Sequence, residues 1–397
     1  MNRPLIVIGI THSQTCLVLT GRLRALREAG FRVVLIASPG RLLEATAARE
    51  GVEALPIPMK RGIAPLADMV SLFRLVKALD RLRPDIAEFS TPKAGLLGNI
   101  AAFLCRVPRR VYLLRGLRLE TASGPIRWIL QATEQLAAAC SHVVLCNSRS
   151  LRDKALALRV ASPAKLQVLG PGSSNGVDLG RFRPGLEGLR KSIGIAPEAP
   201  VIGFVGRLTR DKGVPELMEA FELVLKGRPD ARLILVGWFD ESEDALPPRL
   251  RLAIERNPKV VCTGFVSDTA PWYRAIDVLV LPTHREGFPN VALEASSSGI
   301  PVITTMATGS REAVLPGITG LLVPPRDPQA LAESMLELLE DRVRRRLMGA
   351  AARRWVVESF PQARIHALSV SLYKDLCWRG VELPASARIK DAAAGAD

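Results

Sequence analysis

The alternation of short apolar runs with helical patterns constrains the fold of this chain more than any other feature. The run from Leu5 to Ile10 is followed by a helical pattern near Leu17 to Ala29. Comparable apolar runs lie at Arg32 to Ala37, Val201 to Val205, Arg232 to Val236, Val278 to Leu281 and Val302 to Thr304. This rhythm is typical of doubly wound sheets, in which helices connect parallel strands. We therefore expect an α/β protein.

The length of the chain predicts two domains. A chain of 397 residues exceeds the size at which a single hydrophobic core keeps growing. The segment from Phe182 to Pro200 is rich in Gly and Pro, which favours a join there. We expect one domain over residues 1–190 and a second over 191–360. Two further helices are expected from Arg342 to Glu358 and from Gln362 to Trp378, with a break at Pro361 and disorder over 385–397.

Two acidic residues follow the apolar run that ends at Leu281. Glu286 lies on a turn, and Glu294 lies in a helix expected to begin near Asn290. Ligands collect at the carboxyl ends of parallel strands, where a helix N-terminus offers N–H groups to phosphate. The pair could therefore hold a charged sugar donor. The alternative is a structural carboxylate at Glu294 and a helix-start charge at Glu286.

Two basic residues follow the apolar run that ends at Val205. Arg207 and Lys212 lie on a turn that begins at Gly206, and a helical pattern starts at Pro215. Two cations on such a turn suit a diphosphate leaving group, whose developing negative charge they would stabilise. The alternative is that both are solvated side chains of a surface turn.

Further segments accompany these two turns: Thr263–Val266, Gly317–Pro324, Thr91–Gly95, Arg115–Thr121 and Gly172–Asp178. Together they resemble glycosyltransferase family 4, the retaining nucleotide-sugar transferases of the GT-B fold. The resemblance covers nearly the whole chain and is strongest to bacterial enzymes of surface polysaccharide or lipid-linked oligosaccharide assembly. It implies two Rossmann-like domains facing a cleft, with acceptor binding in the first and donor binding in the second. It also implies a final helix, over 361–384, that crosses back to the first domain.

The resemblance assigns roles to individual residues. It implies that Arg207 and Lys212 bind the diphosphate, that Glu286 faces the donor sugar and that Glu294 binds the ribose. The turn residue Gly206, the backbone of Phe288, Pro289, Asn290 and Val291 near the distal phosphate, and the backbone of Phe265 and Val266 near the base complete the implied donor site. Arg207, Lys212, Glu286 and Arg115 are the candidate catalytic residues, and Ser13, Lys93 and Gly116 are the candidates on the acceptor side. UDP is the nucleotide this family uses most often.

Two departures from the family pattern lie in the first half. Arg115-Gly116 occurs where relatives commonly have His-Gly, and Glu88-Phe89-Ser90 occurs where they often have His-x-His. An Arg stays protonated and cannot serve as a base. Retention in this family is usually ascribed to front-face attack, in which the leaving phosphate takes the acceptor proton. The exchange could therefore add a phosphate contact, or it could mark a changed acceptor or a weakened enzyme.

Positive charge is concentrated in the first half of the chain. Residues 1–191 contain 29 Lys and Arg against 13 Asp and Glu, whereas residues 192–397 contain 25 against 26. The basic residues include Arg74, Lys77, Arg81, Arg83, Arg106, Arg109, Arg110, Arg115 and Arg118. This asymmetry suggests a peripheral enzyme on an anionic membrane with a lipid-linked acceptor. Nucleic acid is disfavoured because no recognised binding motif accompanies the charge. An Arg-rich composition from a GC-rich genome is a further alternative.

Several negative observations bear on location and cofactors. The run from Leu5 to Ile10 is too short for a signal-peptide core, and no apolar run is long enough to span a bilayer. Six cysteines are scattered without metal-binding spacing, and no Asp-x-Asp occurs. We expect a cytoplasmic protein at the inner face of the membrane, with no metal and no cofactor apart from the nucleotide-sugar co-substrate. His284, beside Glu286, is interpreted as lining the site.

The sequence thus predicts a retaining, metal-independent glycosyltransferase. It would move a hexose or N-acetylhexosamine from a nucleotide-diphosphate sugar to a polyprenyl-diphosphate-linked sugar. One alternative is a GT-B-fold UDP-sugar epimerase, for which Glu88 and Glu120 are candidate acid/base residues. Another is a non-catalytic sugar-nucleotide-binding descendant.

Overall fold

The chain folds into two compact units, as seen in a computed structural model that describes residues 3–60, 62–185 and 188–378. Among the described residues, the first unit comprises the chain up to Asn175 together with Gln362 to Trp378. The second comprises Gly176 to Pro361. Each unit contains one parallel sheet with its own hydrophobic core.

The first domain contains a seven-stranded sheet. Its strands are β1 (Leu5–Gly9), β2 (Arg32–Ala37), β3 (Glu53–Pro56), β4 (Ile86–Ser90), β5 (Arg109–Leu114), β6 (Val143–Cys146) and β7 (Leu166–Val168). They lie side by side in the order β3-β2-β1-β4-β5-β6-β7, and all pairs are parallel. Because strand order reverses at β1, the sheet is doubly wound with a switch point between β1 and β4.

Helices cover both faces of this sheet. They are α1 (Arg22–Glu28), α2 (Arg41–Glu50), α3 (Pro65–Leu82), α4 (Pro92–Leu104), α5 (Gly124–Cys140) and α6 (Arg149–Ala157). Short 3-10 helices lie at Ser13–Leu19 and Arg118–Glu120. Leu75 and Leu79 of α3 pack with Phe89 and Ala94 on one face, whereas Leu23 and Leu26 of α1 belong to the other.

The helix predicted near Leu17 to Ala29 is interrupted. The chain forms the 3-10 helix up to Leu19 and begins α1 only at Arg22. Gly21 between them has a φ of 80°, in the left-handed region that interrupts a right-handed helix. Its N–H donates to Glu50 Oε2 at 2.9 Å, which fixes this turn against α2. A hydrophobic pattern alone did not reveal the break, because both pieces bury apolar residues.

The second domain contains a six-stranded parallel sheet. Its strands are β8 (Val201–Val205), β9 (Arg232–Val236), β10 (Val260–Cys262), β11 (Val278–Leu281), β12 (Val302–Thr305) and β13 (Gly320–Val323), in the order β10-β9-β8-β11-β12-β13. Its helices are α7 (Leu189–Ser192), α8 (Val214–Gly227), α9 (Pro248–Arg256), α10 (Ala270–Tyr273), α11 (Asn290–Ser297), α12 (Pro328–Glu340) and α13 (Arg342–Ser359), with a 3-10 helix at Ser310–Glu312. The switch point lies between β8 and β11.

The join between the domains lies earlier than the predicted boundary between residues 190 and 191. The second unit begins at Gly176. Phe182 is already buried in the second core, where its ring packs edge-on against Tyr273 at 5.7 Å. The Gly- and Pro-rich segment up to Pro200 thus contributes Phe182 and Ile195 to the core of the second domain.

The last helix returns to the first domain, as predicted. Helix α14 (Gln362–Trp378) begins directly after Pro361 and packs against α1. Leu372, Tyr373 and Leu376 belong to the core of the first domain. The crossover helix was predicted over 361–384, and the structure describes it to residue 378. The expected disordered tail, 385–397, lies outside the described residues. Within the described part of the chain, no helix is both long enough and apolar enough to traverse a membrane.

Candidate active site

The carboxyl ends of the second sheet bring the predicted donor residues to one edge. Arg207 follows β8, Phe265 follows β10 and Glu286 follows β11. Because every strand pair in this sheet is parallel, these residues leave the sheet on the same side. The β8 and β11 loops are neighbours at the switch point.

The loop after β8 requires glycine where it meets the loop after β11. Gly213 has a φ of 71°, and a Cβ placed on it would lie 1.9 Å from the carbonyl oxygen of Pro282. Only glycine tolerates both the left-handed backbone and this close approach. The approach sets Lys212 beside the β11 loop.

Arg207 is held by an acidic residue that sequence reasoning missed. Its Nη1 donates to Oδ2 of Asp240 at 2.7 Å, and Asp240 is buried in the loop after β9. Burial by itself would lower the pKa of Arg207, but the hydrogen bond to Asp240 and the charges of Asp211 and Glu286 raise it above its ordinary value. The guanidinium is thus a fixed cation.

Lys212 and Glu286 form an ion pair between the two loops. Lys212 Nζ lies 2.5 Å from Glu286 Oε1, and both side chains are mostly buried. The backbone of Glu286 is fixed from the other side, because its N–H donates to the carbonyl of Thr308 at 3.0 Å. Gly309 has a φ of 73°, and a Cβ placed on it would lie 2.6 Å from the Glu286 carbonyl oxygen and 2.4 Å from that of Gly287. The structure therefore joins two predicted site residues directly.

Asp211 connects the same two loops through a second set of bonds. Its Oδ1 accepts from Thr209 Oγ1 at 2.6 Å, and its Oδ2 accepts from Arg285 Nη2 at 3.0 Å. Burial would raise the pKa of Asp211, but Lys212, Thr209, Arg285 and Arg207 lower it below its ordinary value. Asp211 therefore stays ionised between the cations and orders the loop that carries them.

His284 was predicted to line the site. Its Nε2 lies 2.8 Å from Oε1 of Glu216.

Helix α11 begins beside Glu286 with a proline at its N-cap. Pro289 makes no side-chain capping hydrogen bond. The positive end of the α11 dipole therefore lies beside Glu286, at the segment predicted to approach the distal phosphate. The ring of Phe288 is buried and packs against Phe360 at 5.3 Å. The side chain of Phe288 therefore belongs to the core, and the predicted contact with the distal phosphate can involve only its backbone.

Glu294 lies one turn into α11 and is bound to a tyrosine. Tyr273 Oη donates to Glu294 Oε2 at 2.8 Å, and burial raises the pKa of this carboxyl. The hydrogen bond gives Glu294 the structural partner that the alternative interpretation required. Its ribose role stays a prediction.

The predicted base-side loop has an aromatic partner that the sequence did not reveal. Phe265 is about half exposed, and its ring meets Trp238 edge-on at 5.5 Å. Val266, beside it, packs partly against the core. Trp238 follows β9 as Phe265 follows β10, so two adjacent strand ends carry aromatic side chains. Trp238 could have been identified from the sequence only if the order of the strands, which makes β9 and β10 neighbours, had been known.

The first domain contains the predicted acceptor residues. Arg115 follows β5; its Nε donates to Ser90 Oγ at 3.2 Å and its Nη1 to Ser174 Oγ at 2.9 Å. Within the described part of the chain, its Nη2 is buried and has no hydrogen-bond partner. Burial, and then the charge of Arg22, lower the pKa of Arg115 to about 10, so it is protonated at neutral pH. Gly116 follows with a φ of 141°.

The two departures from the family pattern meet in this structure. Ser90 of the Glu88-Phe89-Ser90 segment is the residue that binds Arg115. Glu88 itself is fully buried and accepts from Arg22 through both oxygens, at 2.9 and 2.6 Å, and from Tyr373 of α14. Glu88 is therefore one half of a buried ion pair with Arg22.

The remaining acceptor-side predictions are placed less favourably. Ser13 is buried in the first 3-10 helix. Lys93, in the first turn of α4, forms an ion pair with Asp68 of α3. Arg115 thus has a donor group, Nη2, to spare at this sheet edge. Over residues 3–60, 62–185 and 188–378, no group of three or more His, Cys, Asp or Glu side chains could hold a metal ion.

Comparison with known proteins agrees with this architecture. The family model "Glycosyl transferases group 1" matches residues 199–341, and the model "Glycosyl transferase 4-like domain" matches residues 19–172. The structure of Anabaena HepE in complex with UDP and glucose superposes with a TM-score of 0.77 at 21% identity, over 94% of this chain and 100% of that one. The two doubly wound sheets therefore define the GT-B fold.

Sequence relatives establish the family. The capsular polysaccharide biosynthesis glycosyltransferase CapM of Staphylococcus aureus is 35% identical over 365 residues, covering 92% of this chain and 95% of that protein. The UDP-Gal:alpha-D-GlcNAc-diphosphoundecaprenol alpha-1,3-galactosyltransferase of Escherichia coli is 28% identical over 318 residues, covering 78% and 81%. The chain belongs to the family 4, or group 1, glycosyltransferases and has glycosyltransferase activity.

Proposed function

We propose that this glycosyltransferase moves a hexose or N-acetylhexosamine from a UDP-sugar to a sugar carried on a polyprenyl diphosphate. The reaction would belong to the assembly of a surface polysaccharide or oligosaccharide. Two relatives support this proposal: CapM is named for capsular polysaccharide biosynthesis, and the E. coli relative is named for a UDP-sugar donor and a diphosphoundecaprenol acceptor.

One observation carries the donor half of the proposal. Arg207 and Lys212 lie on a single loop at the switch point, each held by a carboxylate, on the sheet edge where α11 begins. When the sugar–phosphate bond breaks, negative charge develops on the diphosphate. Two cations fixed in advance stabilise that charge without reorganising during the reaction. No metal ion is then required for the leaving group.

The proposed transfer retains the anomeric configuration, as the resemblance to the family implies. The acceptor hydroxyl oxygen attacks the anomeric carbon on the face from which the diphosphate departs. The bond between the anomeric carbon and the diphosphate oxygen breaks, and the proton of the attacking hydroxyl moves to the departing phosphate oxygen. Because this step needs no protein base, the Arg at position 115 is compatible with activity.

Arg115 also has a role in this proposal. A polyprenyl-diphosphate acceptor carries its own diphosphate, and the Arg115 guanidinium has a buried donor, Nη2, that no described group accepts from. A guanidinium binds phosphate through paired N–H groups. The exchange of His for Arg would then select a phosphate-bearing acceptor.

A membrane-bound acceptor places the enzyme at the inner face of the membrane. The excess of basic over acidic residues lies in residues 1–191, where 29 Lys and Arg face 13 Asp and Glu. Anionic lipid attracts such a surface. We therefore propose peripheral association through the first domain.

The epimerase alternative is weaker. It needs acid/base carboxylates in the first domain, and of the two candidates, Glu88 and Glu120, Glu88 is fully buried and already bonded to Arg22 and Tyr373. A protein that only binds sugar nucleotides would have little use for the paired carboxylates that orient Arg207 and Lys212.

The test is a donor panel. Labelled UDP-, GDP- and dTDP-sugars are incubated with the protein and a polyprenyl-diphosphate-sugar extract, with and without EDTA and beside a reaction without lipid. The expected result is label in lipid from one UDP-sugar, undiminished by EDTA. Release of nucleotide without labelled lipid would favour the epimerase, and no turnover of any donor would favour the binding protein.

A further inference from the structure

Three neighbouring helices form one layer of the first domain. Helix α4 packs against α3 on one side and α5 on the other. All three follow strands of a parallel sheet, so their N-termini lie at the strand-carboxyl edge. The ion pair between Lys93 and Asp68 joins the first turns of α4 and α3 there. Arg115 leaves β5 at the same edge, so this end of the layer adjoins the proposed acceptor residues.

Helix α3 has two apolar stripes where a surface helix normally has one. The first stripe, Leu75 and Leu79, is buried against the sheet. The second consists of Leu66, Met69, Val70 and Phe73, with exposed fractions of 83%, 68%, 50% and 70%. Their spacing of three, four and seven residues places them on one side of the helix. Four large apolar side chains thus face outward together.

Helix α5 repeats this arrangement on the other side of α4. Trp128 is 74% exposed and Ile129 is 50% exposed, and both lie in the first two turns. The buried residues of α5, among them Glu134 and Ala137, lie in its second half. The N-terminal halves of α3 and α5 therefore both present apolar side chains at the same end of the layer.

Basic residues continue the exposed side of α3 toward its C-terminus. Arg74, Lys77 and Arg81 are exposed beyond Phe73, with Asp80 as the acidic residue among them. Helices that lie in a membrane interface combine an apolar side, which enters the acyl boundary, with Lys and Arg that reach the headgroups. The net charge of residues 1–191 has the same sign. A second copy of the same face would bring like charges together.

We propose that α3 and α5 form a membrane-docking face, made of Leu66, Met69, Val70, Phe73, Trp128 and Ile129, that binds bilayers containing anionic lipid. The face extends the proposed function, on which its biological purpose rests, by naming the surface that meets the membrane. It would hold the acceptor edge of the first sheet at the headgroup level, where the diphosphate of a lipid-linked acceptor lies.

The direct test measures binding of the full chain to vesicles by flotation. Vesicles of phosphatidylcholine with phosphatidylglycerol should bind the protein, pure phosphatidylcholine should bind it less, and added salt should weaken binding. The Leu66→Ser/Phe73→Ser variant should reduce the partition constant at least about tenfold, since each side chain loses its transfer into lipid. Both positions are exposed, so folding should be unchanged, as checked by thermal unfolding.

The second domain offers a matched control. Val343 and Leu347 of α13 are spaced by one turn, are 69% and 67% exposed, and have arginines beside them. The Val343→Ser/Leu347→Ser variant removes similar apolar surface and should bind vesicles as the wild type does. Equal loss in both variants, or no vesicle binding by the wild type, would overturn the docking face. A dimer that dissociates only in the Leu66→Ser/Phe73→Ser variant would identify a second copy as the occupant and overturn it as well.

A transfer assay separates this inference from the proposed function. With a short-chain, water-soluble acceptor diphosphate, the docking-face variant should match the wild type, whereas with acceptor in vesicles it should be slower by the factor lost in binding. If the variant and the wild type transfer sugar equally fast to the vesicle-borne acceptor as well as to the soluble one, the docking face is contradicted. Vesicle binding that depends on the face, without transfer to either acceptor, would support the face and contradict the proposed function.

Discussion

Asp240 is predicted to act as a positioning residue for Arg207. Its Oδ2 accepts from Arg207 Nη1 at 2.7 Å, and its Oδ1 accepts from the Ser242 N–H at 2.9 Å. The Asp240→Asn variant keeps an oxygen for Ser242 but removes the charge that orients the guanidinium. Asp240 is not itself expected to touch the donor.

The magnitude follows from the geometry and exposure of the pair. A hydrogen bond between charged groups contributes ~1.5–3 kcal/mol. Because the Arg207 side chain is 33% exposed, solvent screening reduces this contribution to ~1–2 kcal/mol. If this stabilisation is lost from the transition state, the transfer rate decreases about 5- to 30-fold.

The assay is a double-mutant cycle on the transfer rate. Asp240→Asn, Arg207→Ala and the double variant are compared, with Asp230→Asn as a control because Asp230 pairs with Arg228 on the surface. If Asp240 acts through Arg207, the double variant is no slower than Arg207→Ala. Independent, multiplicative effects of the two substitutions would refute the reasoning, as would a wild-type rate for Asp240→Asn.

Three further predictions follow from individual contacts. Arg207→Ala and Lys212→Ala should each slow transfer by about 10²-fold or more, as for loss of one charge-stabilising donor, and near-normal rates in steady-state assays would exclude the diphosphate site. Glu88→Gln should lower the free energy of unfolding, measured in urea, by ~3–5 kcal/mol, because Arg22 stays buried without its counter-charge. Glu53→Gln, in an exposed pair with Arg32, should lower it by at most ~1 kcal/mol. Equal losses in the two variants would contradict this account. Burial raises the pKa of Glu134 to about 7 from 4.5, so the folded state retains a proton that the unfolded state has lost between these values, and stability falls as the pH rises through this window. Relative to Glu134→Gln, which still accepts from Tyr112, the wild type should lose about 3 kcal/mol from pH ~4.5 to ~7, and parallel stability profiles would refute the shift.

Local patterns were sufficient to predict most of the secondary structure. The bounds of β2, β8, β9 and α14 agree with the sequence prediction, because each combines an uninterrupted apolar pattern with a clear end signal such as Pro361. The break at Gly21 and the start of the second domain at Gly176 were not predicted. Both depend on what the chain packs against, and a local pattern does not contain that information.

The candidate site shows the same division. The turns that carry Arg207, Lys212 and Glu286 could be read from the sequence, since each follows an apolar strand. The acidic partner of Arg207 could not be predicted: Asp240 lies 33 residues beyond it. Tyr373 lies 285 residues from Glu88, which it binds. Partners so distant along the chain leave no periodic signal, and only the strand order and the return of α14 bring them together.

The most direct test of the account is the product made by the wild type and by Glu286→Gln from the preferred UDP-sugar and a lipid-diphosphate acceptor. The account predicts labelled lipid from the wild type, with the anomeric configuration of the donor retained in its NMR spectrum, and little or none from the variant. An inverted product, or equal labelling by both proteins, would contradict it.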